Sequence, residues 1–172
     1  MEASSDSYDS PWKDVLELYL PDFFELFLPE AHREIDWQRQ PLSLEKELRK
    51  IVRDAELGTR FADKLFQVWT KSGEPLEVMI HIEVQGSATS DFAKRIYVYN
   101  YRTFDRFDRP VVSIGVLCDD SQSFHPTEYE ACDMWGCRAA LAFPTIKLRE
   151  YNSRWKELAA SDNPFATVTM AH

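Results

Sequence analysis

Asp63, Glu83 and Gln85 carry the oxygen-rich groups that hold a divalent cation, and two of them sit on one short run. In Val78-Met79-Ile80-His81-Ile82-Glu83-Val84-Gln85, residue character alternates from Ile80 onward. A strand there puts His81, Glu83 and Gln85 on one face and Ile80, Ile82 and Val84 on the other. The branched apolar side suits a core. The polar side has two readings: a metal-dependent site, or an ordinary solvated sheet face. Magnesium prefers oxygen ligands and keeps several waters, so one or two carboxylates suffice. Hydrolysis of a phosphodiester needs such an ion to polarise the phosphate and help deprotonate a water. Asp63 starts one strand and Glu83 lies near the end of its partner, so the two converge at one end of a twisted hairpin. The backbone carbonyl of Val84 would add a third ligand. Gln85 would hold the water or the phosphate, and Glu47 would complete the shell from the preceding helix.

Other residues carry paired readings. His81 shares the polar face and is either a base or ligand, or a hydrogen-bonded structural histidine. Lys64 follows Asp63 and points to the opposite face. Arg95, Tyr99, Arg102 and Arg106 recur at spacings of four, three and four. That stripe either grips phosphates or is a solvated face pairing with Asp91, Asp105 and Asp108. Cys118, His125, Cys132 and Cys137 can be drawn as a zinc site, but their spacing fits no Cys-x-x-Cys pattern. Reduced thiols are the alternative. Trp135 and Trp155 are read as packing residues.

The elements that must position these groups follow from the apolar pattern. Residues 1–9 are acidic and Ser-rich and read as a loose, disordered tail. Ser10-Pro11 reads as a helix start, with Pro21 ending that helix. Phe23, Phe24, Leu26 and Phe27 suit a second short helix that stops before Pro29. Ser43 is the expected N-cap of a helix whose face carries Leu44, Leu48, Ile51, Val52 and Ala55. Glu47 lies on or beside that face. Phe61 to Thr70 and Glu77 to Gln85 read as an antiparallel hairpin across Ser72-Gly73-Glu74-Pro75. Residues 91–107 read as a helix with an apolar stripe of Phe92, Ala93, Ile96, Tyr97 and Phe104. Val111 to Leu117 is a nearly continuous apolar run, as in a strand buried on both faces. Residues 119–133 read as a polar loop. Residues 137–148 read as strand interrupted by Pro144, and 149–160 as helix. Residues 163–172 are apolar and β-branched, an abrupt end that suggests a piece of a longer chain.

This order predicts one α/β domain over residues 10–172, with a central mixed sheet flanked by helices. A length of 172 residues is enough to bury a real core. No apolar run approaches the ~18–20 residues of a membrane span. The start lacks a signal-peptide pattern, so the cytoplasm is the expected compartment and no membrane partner is expected. A net charge of −9 opposes nonspecific binding to nucleic acid, so any such binding needs a local basic groove.

Several segments resemble a known group. Asp63 followed by Glu83-Val84-Gln85, with a helix after, resembles the PD-(D/E)XK phosphodiesterase pattern with Gln in place of the usual Lys. More narrowly, Glu56-Leu57-Gly58-Thr59-Arg60-Phe61-Ala62-Asp63-Lys64-Leu65 is similar to the recombination-promoting nuclease/putative transposase family. So are Ile80 to Gln85, Phe92 to Arg102 and Asp105 to Pro110. The resemblance spans roughly Trp12 to Tyr151. It implies a restriction-endonuclease-like core (helix, three strands, helix, strand) and Mg²⁺-dependent endonuclease chemistry on DNA, with Mn²⁺ as the alternative ion. Asp63 and Glu83 would bind metal, Arg95 and Tyr99 would lie nearest the sheet, and Arg95, Tyr99 and Arg102 would contact the DNA backbone. It also implies relatives that continue past His172, and a homodimer is compatible with it. Gln85 departs from the pattern: it is neutral and cannot act as general acid or base near neutral pH. A catalytically weakened descendant that binds or scaffolds is therefore the competing expectation.

Overall fold

The computed structural model describes residues 6–54, 62–71 and 76–172. Helix α1 (Asp6–Leu18) begins ahead of the expected Ser10 cap, so residues 6–9 are helical and not part of a tail. The helix is interrupted at Tyr19. Helix α2 (Leu20–Phe27) restarts with Pro21 in its first turn, where a missing N–H has no helical partner to lose. Pro29 opens α3 (Pro29–Glu34) in the same way. Leu42–Ser43 is a short strand, β1. Ser43 is thus not a helix cap, and its hydroxyl donates instead to the Glu17 carboxylate at 3.0 Å. Helix α4 (Glu45–Asp54) follows. Strands β2 (Ala62–Trp69) and β3 (Glu77–Gln85) form the expected hairpin. The turn predicted at residues 72–75 lies outside the described residues.

Helix α5 (Phe92–Phe107) stops at Asp108, whose backbone turns left-handed at φ 48°. Phe104, expected in its apolar stripe, is exposed. Strand β4 (Val111–Leu117) matches its apolar run. The predicted polar loop is partly strand: β5 (Glu128–Met134) pairs with β6 (Cys137–Ala142) as a separate two-stranded sheet. Their turn has positive φ at Trp135 (53°) and Gly136 (81°), the handedness that matches strand twist in tight hairpins. Trp135 is 98 % exposed at that tip, and Trp155 is also exposed, so neither is a packing residue here. After Pro144 come β7 (Thr145–Lys147), a 3₁₀ segment at Leu148–Arg154 and α6 (Trp155–Ala159). Residues expected as a β-branched end form α7 (Pro164–Met170), capped by the Asn163 side chain accepting from Phe165 N–H at 2.9 Å.

The main sheet has the order β1-β2-β3-β4-β7. The β1–β2 and β2–β3 pairs are antiparallel, while β3–β4 and β4–β7 are parallel. The protein is therefore α/β, with a mixed five-stranded sheet flanked by helices. Up to β4 the described order is helices, β1, α4, β2, β3, α5, β4. It contains helix, three strands, helix, strand, with α4 interposed after the first strand.

The sheet divides two cores. Ile80, Ile82 and Val84 face Trp12, Leu16, Phe23, Phe24 and Phe165 from α1, α2 and α7. On the other face, Leu65 and Met79 pack with Leu48, Ile51 and Tyr99, while Phe92 and Ile96 meet Leu117 and Phe143. The parallel β3–β4 pair needs a crossover, and α5 supplies it by lying across this second face. Among the described residues, no helix is long and apolar enough to cross a membrane.

Candidate metal centre

The register of the hairpin sets the site. Asp63 pairs with Glu83, and Leu65 with His81, so all four side chains share the face covered by α4 and α5. That polar face is neither solvated sheet nor open groove: His81, Glu83 and Gln85 are fully buried, and Asp63 is half-buried at its margin. A ring nitrogen of His81 and one carboxylate oxygen each from Asp63 and Glu83 lie within 4.8 Å of one another. Among the described residues they are the one group of three acidic, His or Cys side chains that could hold a metal ion.

Helix α5 enters this cluster through Arg95, a side chain only 2 % exposed. Its Nε donates to Glu83 Oε1 at 2.8 Å, and Nη2 lies 2.7 Å from the same oxygen in an ion pair. Nη2 also donates to Gln85 Oε1 at 2.6 Å, and Nη1 to Asp91 Oδ2 at 2.6 Å. A planar guanidinium can serve these acceptors at once because its donors are fixed in a fork. The other end of Gln85 is also engaged, its Nε2 donating to the Ser87 carbonyl at 2.6 Å. The second Glu83 oxygen, Oε2, is buried with no hydrogen-bond partner.

Gly115 lets the helix come this close. It lies beside Glu83 in the β3–β4 register. A Cβ there would sit 2.8 Å from the Phe92 ring and 3.4 Å from Ile96 Cδ1. A side chain would push α5 away from the face it covers.

The electrostatics follow from burial. Desolvation first, and the charge of Asp63 second, push the Glu83 carboxyl well above its ordinary range, with Arg95 acting against them. Burial pushes the His81 imidazole down to about 3, so it is neutral at ordinary pH. His81 Nδ1 lies 3.2 Å from Ser113 Oγ, which also accepts from Asn100 Nδ2 at 3.1 Å. His81 Nε2 is buried without a hydrogen-bond partner. The Tyr99 ring meets the His81 ring edge to face at 5.2 Å. The Tyr99 hydroxyl is buried without a partner, and burial together with the Asp63 and Glu83 charges raises its pKa.

The structure thus brings together Asp63, Glu83, Gln85, Arg95 and Tyr99, and it adds His81. The available signal was its i−2 spacing from Glu83. Val84 lies between Ala62 and Val116 in neighbouring strands, with its side chain in the opposite core. Glu47 is engaged by Arg106 and by Lys50 at 3.3 Å. Arg106 is eleven residues beyond Arg95, about 16 Å along a helix, so this pair marks the far end of α5. Arg102 is half-buried and Arg106 exposed. Lys64 faces the other way, as its position predicts, and its Nζ donates to Glu17 Oε2 at 2.5 Å. Cys118, His125, Cys132 and Cys137 form no metal-holding group among the described residues. His125 instead faces Glu150, its Nδ1 3.3 Å from the carboxylate, and Cys132 and Cys137 lie on the exposed β5–β6 hairpin.

No family model, curated protein or solved structure matches the chain.

Proposed function

We propose that this chain is a metal-dependent endonuclease that hydrolyses phosphodiesters in DNA. We place it with the PD-(D/E)XK group, and within it with the recombination-promoting nuclease/putative transposase family, acting in recombination or on mobile elements. The observation that carries the reading is the convergence of Asp63 and Glu83 on one buried face, with Glu83 Oε2 left without a hydrogen-bond partner. Buried polar atoms are nearly always paired, so such an atom in an acidic cluster suits a bound cation. Asp63 and Glu83 would hold the ion, Mg²⁺ or Mn²⁺. A bound dication polarises the phosphate and lowers the pKa of a coordinated water.

The chain's own groups divide the remaining work. Arg95 holds Glu83 Oε1 and so leaves Oε2 for the ion. Gln85 is tied at both ends and acts as a strut for Arg95, not as acid or base. The Tyr99 hydroxyl is a donor for a water or a phosphate oxygen. Arg102, half-buried further along α5, would meet the DNA backbone. The free thiols of Cys118, Cys132 and Cys137 suit a reducing compartment such as the cytoplasm.

One observation favours the second reading, a nuclease-fold protein that binds or scaffolds without cutting. The position of the usual lysine is held by a neutral carboxamide that is already committed to Arg95 and Ser87. Nicking of supercoiled plasmid separates the two. The nuclease reading expects cleavage with Mg²⁺ or Mn²⁺, none with EDTA, and at least a ~100-fold loss in Asp63→Ala and Glu83→Ala, the scale of losing electrostatic stabilisation in a water-excluded site. Absence of metal-dependent nicking, or variants that cut like wild type, would leave the binding reading.

A further inference from the structure

We propose that His81 is a ligand of the ion held by Asp63 and Glu83, and that it makes the site select a first-row transition dication, Mn²⁺ among them, over Mg²⁺. This rests on the metal reading of the same site, but it concerns which ion binds and not what the protein then does. The imidazole sits on the strand that carries Glu83, two residues earlier and on the same face. A ring nitrogen lies within 4.8 Å of the Asp63 and Glu83 oxygens. A histidine kept for packing alone would have both nitrogens hydrogen-bonded in so dry a setting. Here Nδ1 meets Ser113 Oγ at 3.2 Å, while Nε2 is fully enclosed without a partner.

The surroundings hold the ring as outer partners hold a ligand histidine. With Nδ1 protonated, the imidazole donates to Ser113 Oγ and presents a lone pair at Nε2. Ser113 is itself fixed by Asn100 Nδ2 at 3.1 Å, and the Tyr99 ring packs edge to face on the imidazole. One nitrogen and two carboxylates make a mixed donor set. Imidazole suits transition ions, whereas Mg²⁺ demands oxygen donors and sheds water reluctantly.

The test is binding, independent of cleavage. Full-length protein stripped with EDTA is titrated with Mn²⁺ alone and Mg²⁺ alone by calorimetry. The proposal expects one site per chain, with Mn²⁺ at least about tenfold tighter than Mg²⁺. His81→Asn should lose at least about tenfold in Mn²⁺ affinity, the scale on which even outer-shell changes act, while Mg²⁺ shifts less than about twofold. Ser113→Ala, a milder change, should weaken Mn²⁺ in the same direction. Pulsed EPR of Mn²⁺-loaded wild type needs no variant to fold, and should show ¹⁴N coupling from a coordinated imidazole. Equal affinity for the two ions, an unchanged Mn²⁺/Mg²⁺ ratio in His81→Asn, or no ¹⁴N coupling would each overturn the proposal. Cleavage supported equally by both ions and indifferent to His81 would overturn it and leave the nuclease reading intact. His81-dependent Mn²⁺ selectivity without any cleavage would support it and remove the nuclease reading.

Discussion

At the scale of single residues, the site is a problem of buried charge. Glu83 and His81 are enclosed on the same face, and burial drives each toward its neutral form. Their effects on stability have opposite signs. Glu83 is raised, so its contribution is full below the unfolded carboxylate pKa and is lost as pH rises through the folded value. His81 is depressed from 6.5 to about 3, so its contribution is present above 6.5 and is lost as pH falls toward 3. Each pH unit in that interval costs about 1.4 kcal/mol, so at pH 4 the histidine alone removes about 3 kcal/mol. Urea unfolding of the metal-free protein from pH 7 to pH 4 should therefore show wild type losing about 3 kcal/mol more than His81→Asn. Parallel losses in the two proteins would mean that the imidazole is solvated. Much of this face was legible in the sequence: alternation placed His81, Glu83 and Gln85 together, and Asp63 opposite Glu83. The burial was not legible, because nothing in a polar alternation says that a helix will cover it. The pairing of Arg95 with Glu83 and Gln85 was not legible either, because helical spacing gives a residue's angle around the axis, not the direction of the sheet.

At the scale of elements, α5 positions the site, and Gly115 decides how closely it approaches. The Cβ of an alanine there would sit 2.8 Å from the Phe92 ring, which is itself fully buried and has little room to yield. Gly115→Ala should destabilise the fold by ~1–3 kcal/mol, the usual cost of overpacking. Adding Phe92→Leu should recover part of that loss, giving a favourable coupling in a double-mutant cycle measured by denaturation. Additive effects would mean that the helix does not press on this strand. The elements best read from sequence were those with strong apolar periodicity: β2, β3, α5 and β4. Strand β6 falls within the strand expected over residues 137–148, whereas β5 was missed because most of its side chains on both faces are exposed, so it lacks the apolar alternation that marks a half-buried strand. Strand β1 is two residues long, too short for any periodic signal, and it displaced the cap expected at Ser43.

At the scale of the whole molecule, the sheet separates an aromatic-rich core from the face that carries the candidate metal site. Phe23 belongs to the first, packed at 5.1 Å from Phe27 and 5.3 Å from Phe165, ring centre to ring centre. Phe23→Leu should lower stability by ~1–3 kcal/mol while leaving metal affinity within about twofold, because the two cores share only the sheet. Calorimetry on the folded variant checks this, and a large loss of affinity would mean that the faces are coupled. The mixed sheet and its flanking helices were legible from element order, since a strand-helix-strand run with a buried final strand implies a covered parallel pair. The net charge of −9 spoke against general affinity for nucleic acid and said nothing about a local site. The central claim is that Asp63, His81 and Glu83 hold one divalent cation. Its most direct test is the anomalous difference map of a crystal grown from EDTA-stripped protein and soaked in Mn²⁺. The account predicts one strong peak within about 2.0–2.4 Å of an oxygen of Asp63, an oxygen of Glu83 and a nitrogen of His81. A map with no peak there, or an Arg95 guanidinium filling the space between the three side chains, would contradict it.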